Sequence, residues 1–117
     1  MPSNLALRLI ELNANVVVTV RHLRPDPIIR LLDKESSLPD IELLDLSDFT
    51  AVQKLCNRHR VDTIFHLAAT TIAREAARAP ISTLKNNLRT TFNILEVARI
   101  NEIKRVLIAS TDKVYGQ

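Results

Sequence analysis

Glycine is nearly missing from this chain. Its 117 residues contain one, where average usage of roughly 7% would give about eight. Tight turns and phosphate-cradling loops are therefore scarce. Cysteine is as rare: Cys56 stands alone at an apolar helical position, without a partner for a disulfide, and reads as a core residue in a reducing cytoplasm. Three histidines scattered around that one cysteine give no ligand spacing, so no metal site is expected. Tryptophan is absent, and the aromatics reduce to Phe49, Phe65, Phe92 and Tyr115, mostly inside apolar runs. The sixteen Lys and Arg are spread among thirteen acids without a basic block. Both facts argue against nucleic-acid binding. Uncharged apolar runs of membrane-spanning length are also lacking, and Glu11 and Asn13 interrupt the first apolar segment where a signal peptide would need continuity. No membrane association is expected.

What is present is ample core material: 46% of the residues are hydrophobic, enough for one packed domain over residues 1 to 117. Leu5, Leu9 and Leu12 recur at helical spacing, with Asn13 placed to cap in the left-handed conformation. "NVVVTV" at 15 to 20 is a β-branched run of the kind buried on both faces of a parallel sheet. Three prolines make most of residues 21 to 40 loop, with a short helical turn at 28 to 32. "IELLDL" reads as a strand. Ser47 or Asp48 then caps a helix with Val52, Leu55 and Cys56 on one face and basic residues near its end. "VDTIFHL" is the next buried strand, followed by a short helix within "TIAREAARA". Pro80 opens the longest helix, with the stripe Leu84, Leu88, Phe92 and Leu95 and with Ile94 and Val97 beside it. "IKRVLIAS" is the last strand. Alternating strands and helices imply an α/β fold with an open parallel sheet of about four strands.

Several stretches carry a resemblance that covers nearly the whole chain: "SNLALRLIELNANVVVTV", "DLSD" at 45 to 48, "FHLAA" at 65 to 69, "NLRTTFNILEVAR" at 87 to 99 and "ASTDKVYG" at 109 to 116. In this order they resemble the nucleotide-sugar epimerase and dehydratase branch of the extended short-chain dehydrogenases, which bind NAD or NADP on a Rossmann fold. The resemblance implies that Asp45 and the backbone of Leu46 hold adenine. It implies also that Leu67, Ala68 and Ala69 pass beneath the coenzyme, and that Asn87 faces the active site in a structural and water-holding role. The alternative for Asp45 is a helix cap.

Open parallel sheets bind ligands at the carboxyl ends of their strands, and residues 110 to 113 lie at such an end. By similarity Thr111 hydrogen-bonds the hydroxyl at sugar C4, Asp112 is the acid that protonates a departing C6 hydroxyl, and Lys113 stands where the base at C5 would be. An Asp-Lys pair resembles the CDP-glucose 4,6-dehydratase type, and such a lysine needs a lowered pKa. The bland alternative is a solvated turn at a strand end. Tyr115 occupies a packing position. After the second strand the family's acidic position is Val20, followed by Arg21 and His22; Arg21 inclines the coenzyme choice from NAD toward NADP. His66 reads as a satisfied core histidine, and His22 and His59 as surface residues.

The departures matter too. Pro2 stands where the family's third glycine would be, so the glycine loop and first strand are lacking. The Tyr-x-x-x-Lys pair does not occur. Two family glycines are replaced, by Asn13 and by Thr90. A partial Rossmann-like domain without its central strand is expected to compensate by pairing residues 16 to 20 with 63 to 67, by a partner chain supplying a strand or by a complementary fragment, and otherwise to be aggregation-prone. Two readings follow. One is a fragment of a sugar-nucleotide 4,6-dehydratase or epimerase, inactive alone and without a saturating NAD or NADP isotherm. The other is a non-catalytic module that dimerises or binds a full-length relative through the helix at 81 to 100.

Overall fold

The computed structural model describes residues 2 to 22, 39 to 69 and 77 to 110. The chain divides into two compact units, Met1–Asp45 and Leu46–Gln117. The expected helical turn at 28 to 32 and most of the short helix within 71 to 79 lie outside the described residues.

The first unit contains α1 (Pro2–Glu11), β1 (Val17–Val20) and β2 (Asp40–Leu43). Leu5, Leu9 and Ile10 on α1 are half-buried, while Leu12, just past the helix end, is exposed. β1 and β2 pair in parallel, Val17 opposite Asp40 and Val20 opposite Leu43. One further bond, Leu44 N–H to the Val20 carbonyl at 2.9 Å, carries the ladder toward its carboxyl end. The β1 valines are half-buried, not buried on both faces as their composition suggested. A strand in this two-stranded ladder has one hydrogen-bonded neighbour, which leaves more of its surface uncovered.

The second unit contains α2 (Phe49–Arg58), β3 (Thr63–His66), α3 (Pro80–Ile100) and β4 (Arg105–Ile108). Asp48, not Ser47, caps α2: its Oδ1 accepts from Ala51 N–H at 3.0 Å. Pro80 stands at the first position of α3, where a missing N–H costs nothing. α2 packs on α3, and the buried apolar side chains are Val52, Leu55 and Cys56 from α2 with Ile94, Val97 and Ala98 from α3. Fully burying a valine, leucine or isoleucine is worth about 1.5 to 3 kcal/mol each, and among the described residues of this unit the fully buried apolar side chains all lie in this seam. β3 and β4 pair in parallel, Thr63 opposite Arg105 and His66 opposite Ile108, with α3 as the crossover.

Two expectations are corrected. The stripe Leu84, Leu88, Phe92 and Leu95 does not form the buried face of α3; all four are exposed, and the face that packs carries Thr90, Ile94, Val97 and Ala98. Nor is pairing of residues 16 to 20 with 63 to 67 seen: among the described residues the ladders are β1 with β2 and β3 with β4. These are the 3-2 and 4-5 neighbours of the doubly wound order. α3 is the crossover that returns the chain beside β3, so β4 is its parallel partner.

The three helices α1, α2 and α3 of the described residues end alike. After α1, Asn13 N–H bonds Ile10 O at 2.8 Å and Ala14 N–H bonds Leu9 O at 3.0 Å. After α2, Arg60 N–H reaches Asn57 O and Val61 N–H reaches Cys56 O; after α3, Glu102 N–H reaches Arg99 O and Ile103 N–H reaches Ala98 O. Each is a Schellman motif, with Asn13, Arg60 and Glu102 at φ values of 61°, 49° and 54° where glycine is usual. The shortage of glycine therefore has a local address.

Candidate functional site

The carboxyl ends of β1 and β2 lie together because the strands run in parallel register. Arg21 leaves β1 one residue after Val20, and Asp45 follows β2 two residues after Leu43. They meet: Arg21 Nη2 donates to Asp45 Oδ2 at 3.2 Å, with 53% and 46% of the two side chains exposed. Two residues assigned to the coenzyme for separate reasons thus form one exposed ion pair. Asp45 is not the cap of α2, a role Asp48 fills.

In the second unit, the Leu46 carbonyl accepts from Asn93 Nδ2 of α3 at 2.9 Å, which ties the start of the "LSD" turn to the long helix. Leu67 is half-buried and Ala68 and Ala69 are exposed, directly after the carboxyl end of β3. His66, the last residue of that strand, is buried, and its Nε2 lies 3.3 Å from Thr91 Oγ1. That hydroxyl donates its only proton to the Asn87 carbonyl at 2.9 Å. While it does so it can only accept from His66, an arrangement that assigns the imidazole proton to Nε2. Burial holds the imidazole pKa below the ordinary histidine value, so the ring is neutral near pH 7. His66 is the satisfied core histidine its sequence position suggested. His22 is exposed, whereas His59 is half-buried at the end of α2 rather than on the surface.

Asn87 is half-buried on α3 and its carbonyl accepts from both Thr90, at 3.0 Å, and Thr91. Thr90, where the family carries glycine, is buried with its hydroxyl satisfied in this way. Sequence reasoning missed Thr91 and Asn93. The signal was available in the 87, 90, 91 spacing, since hydroxyls three and four residues on reach a helix carbonyl. Thr111, Asp112 and Lys113, with Tyr115, lie outside the described residues; they follow Ile108, the last residue of β4, in sequence.

Burial raises the Cys56 thiol pKa, the opposite of what a reactive thiolate needs. Among the described residues no group of three or more His, Cys, Asp or Glu is placed to hold a metal ion. Among the same residues no helix is long and apolar enough to cross a membrane.

Parallel ladders joined through helices, with polar residues gathered at strand carboxyl ends, define an α/β chain of Rossmann type. Residues 2–117 match the NAD dependent epimerase/dehydratase family, and the chain belongs to that family. The UDP-glucose 4-epimerase of Bos taurus is 27% identical over 92 residues, 79% of this chain and 26% of the relative. A UDP-glucose 4-epimerase from Bifidobacterium longum, solved in complex with NAD+ and UDP, superposes with a TM-score of 0.86 at 20% identity, over 97% of this chain and 35% of that one. An L-threonine dehydrogenase from Clostridium difficile gives 0.73 at 27% identity, over 88% and 31%. The chain thus spans about a quarter to a third of the length of these relatives.

Proposed function

We propose that this chain contributes part of the coenzyme and sugar-nucleotide site of a cytoplasmic NAD(P)-dependent nucleotide-sugar epimerase or 4,6-dehydratase, and that residues 1 to 117 do not turn over substrate alone. The observation that carries this reading is the family match across residues 2–117. The described residues fit one end of the coenzyme. In the first unit Arg21 and Asp45 offer a donor and an acceptor to its adenosine part; in the second, Leu67, Ala68 and Ala69 follow the carboxyl end of β3. They do not fit a glycine cradle for the pyrophosphate, since Gly116 is the only glycine in the sequence.

When bound, the coenzyme supplies reversible oxidation at sugar C4. Thr111 holds the C4 hydroxyl. In the dehydratase version Asp112 gives a proton to the departing C6 hydroxyl and Lys113 takes the C5 proton, which requires a lysine pKa depressed by burial or a cationic neighbour. The relatives named above include 4-epimerases and no dehydratase, whereas the Asp-Lys pair speaks for elimination; both reactions share the C4 step. The sequence has one tyrosine and no Tyr-x-x-x-Lys pair, so the purified chain with NAD or NADP and UDP-, CDP- or dTDP-glucose should yield neither 4-epimer nor 4-keto sugar. Product above the blank would refute the inactivity. Codons upstream of Met1 encoding, in frame, a strand and a Gly-x-x-Gly-x-x-Gly loop would support a catalytic parent chain.

A second reading is favoured by one feature. Ile81, Leu84, Leu88, Phe92 and Leu95 are all exposed and fall within an arc of about 80° on α3, opposite its packed face. As an interaction module the chain pairs this stripe with itself or with a full-length relative. Light scattering on the purified chain distinguishes the two: a monodisperse dimer supports the module, and a monomer removes its self-pairing form.

A further inference from the structure

The turn at 46 to 48 leads directly into α2 and is fastened at both ends. At its far end Asp48 Oδ1 accepts from Ala51 N–H at 3.0 Å, and the Asp48 carbonyl accepts from Val52 N–H at 3.1 Å. The near end is held from far along the chain: Asn93 Nδ2 of α3 donates to the Leu46 carbonyl at 2.9 Å, across 47 positions of sequence. We propose that Asn93 is a positioning residue for the adenine of the coenzyme: it holds the Leu46–Ser47 peptide in the orientation that presents this turn to the base. The inference rests on the coenzyme reading above and deepens it, adding a residue that acts on the site without touching the ligand.

Asparagine is a poor residue for a helix interior, because its amide competes with the backbone for hydrogen bonds. Asn93 nevertheless lies well inside α3, and it directs its amide to a carbonyl outside that helix. Both Leu46 and Asn93 are half-buried, which strengthens the bond by limiting competition from water. The consequence for the turn follows from peptide geometry. A peptide unit is planar and trans, so fixing the Leu46 carbonyl toward α3 fixes the Ser47 N–H on the opposite side of the same plane. The turn is thereby set as a unit between the cap of α2 and the side of α3. Hydrogen bonds weaken steeply when misaligned, so a backbone contact to a purine is only as good as the peptide planes that make it.

The test is an NMR titration of the full chain with adenosine, the base and ribose of the coenzyme without its phosphates, because contacts too weak for calorimetry still appear as fast-exchange shifts. For the unaltered chain the shifts should include the Leu46 and Ser47 amides. Asn93→Ala removes the donor while improving helix propensity, so α3 should persist and adenosine affinity should fall roughly three- to tenfold. Asn93→Asp, nearly the same shape and without a donor when ionised, should lose as much. Cys56→Ala loosens the α2–α3 seam and should leave adenosine affinity unchanged, which separates positioning from general destabilisation. The unaltered chain gives a readout that needs no variant: adenosine should slow the exchange of the Asn93 Nδ2 protons with water. Affinity that neither Asn93 variant changes, Nδ2 exchange that bound adenosine leaves as it was, or an equal loss of affinity in Cys56→Ala overturns the role of Asn93 alone. If adenosine shifts no signal, the coenzyme reading falls, and this role with it.

Discussion

Among the described residues, Asn13, Arg60 and Glu102 hold conformations that their side chains resist. A non-glycine residue in the left-handed region costs about 1 to 2 kcal/mol, and glycine gives back about 0.5 to 1 kcal/mol of that through its greater loss of freedom on folding. Relief outweighs the loss at Arg60 and Glu102. Arg60→Gly and Glu102→Gly should each stabilise the fold by roughly 0.5 to 1 kcal/mol in urea unfolding. Asn13→Gly should be near neutral, because asparagine tolerates this region. Asn13 was legible as a helix stop for that reason. Arg60 and Glu102 were not, since neither side chain marks a left-handed position; only the backbone bonds after α2 and α3 reveal them.

His66 brings pH dependence at the same scale. Its folded pKa is lowered by burial, so the neutral ring's contribution is fully present above the ordinary histidine value and is lost as pH falls through the folded value. Thermal melts should show stability dropping on acidification across that window, and His66→Gln should flatten the dependence. Thr91→Val removes the hydroxyl that links His66 to the Asn87 carbonyl, and should cost about 1 kcal/mol by leaving a buried N–H unpaired.

At the scale of elements, α3 was read correctly in extent and wrongly in orientation. Pro80 and the apolar periodicity marked its span, but the helix carries apolar residues on two sides. The largest of them, Leu84, Leu88, Phe92 and Leu95, suggested the inward face. The face that packs holds Ile94 with the smaller Thr90, Val97 and Ala98, which let α2 approach. Side-chain size alone does not say which stripe meets a neighbour. Phe92→Asp on the exposed stripe should leave circular dichroism unchanged and, under the module reading, convert a dimer to monomer in light scattering. Asp48→Ala should cost about 1 kcal/mol, because the first turn of α2 loses its side-chain acceptor.

For the molecule as a whole, fold class was the most legible property. Apolar runs alternating with helices along most of the chain implied parallel pairing, and the motif order pointed to the family that the comparison shows. The pairing partners were less legible, because a strand's composition does not name its neighbour. The pairing of β3 with β4 follows from the α3 crossover rather than from the apolar runs themselves. The candidate site was legible only as separate positions. That Arg21 and Asp45 touch depends on parallel register across a pair of strands whose residues lie 24 apart in sequence. The central claim is that coenzyme meets this chain at the carboxyl ends of its parallel strands. Chemical-shift mapping with NAD tests it directly: the account predicts perturbations at Arg21, Asp45, Leu46, Leu67, Ala68 and Ala69, whereas shifts gathered at the opposite ends, around Val17, Asp40, Thr63 and Arg105, would contradict it.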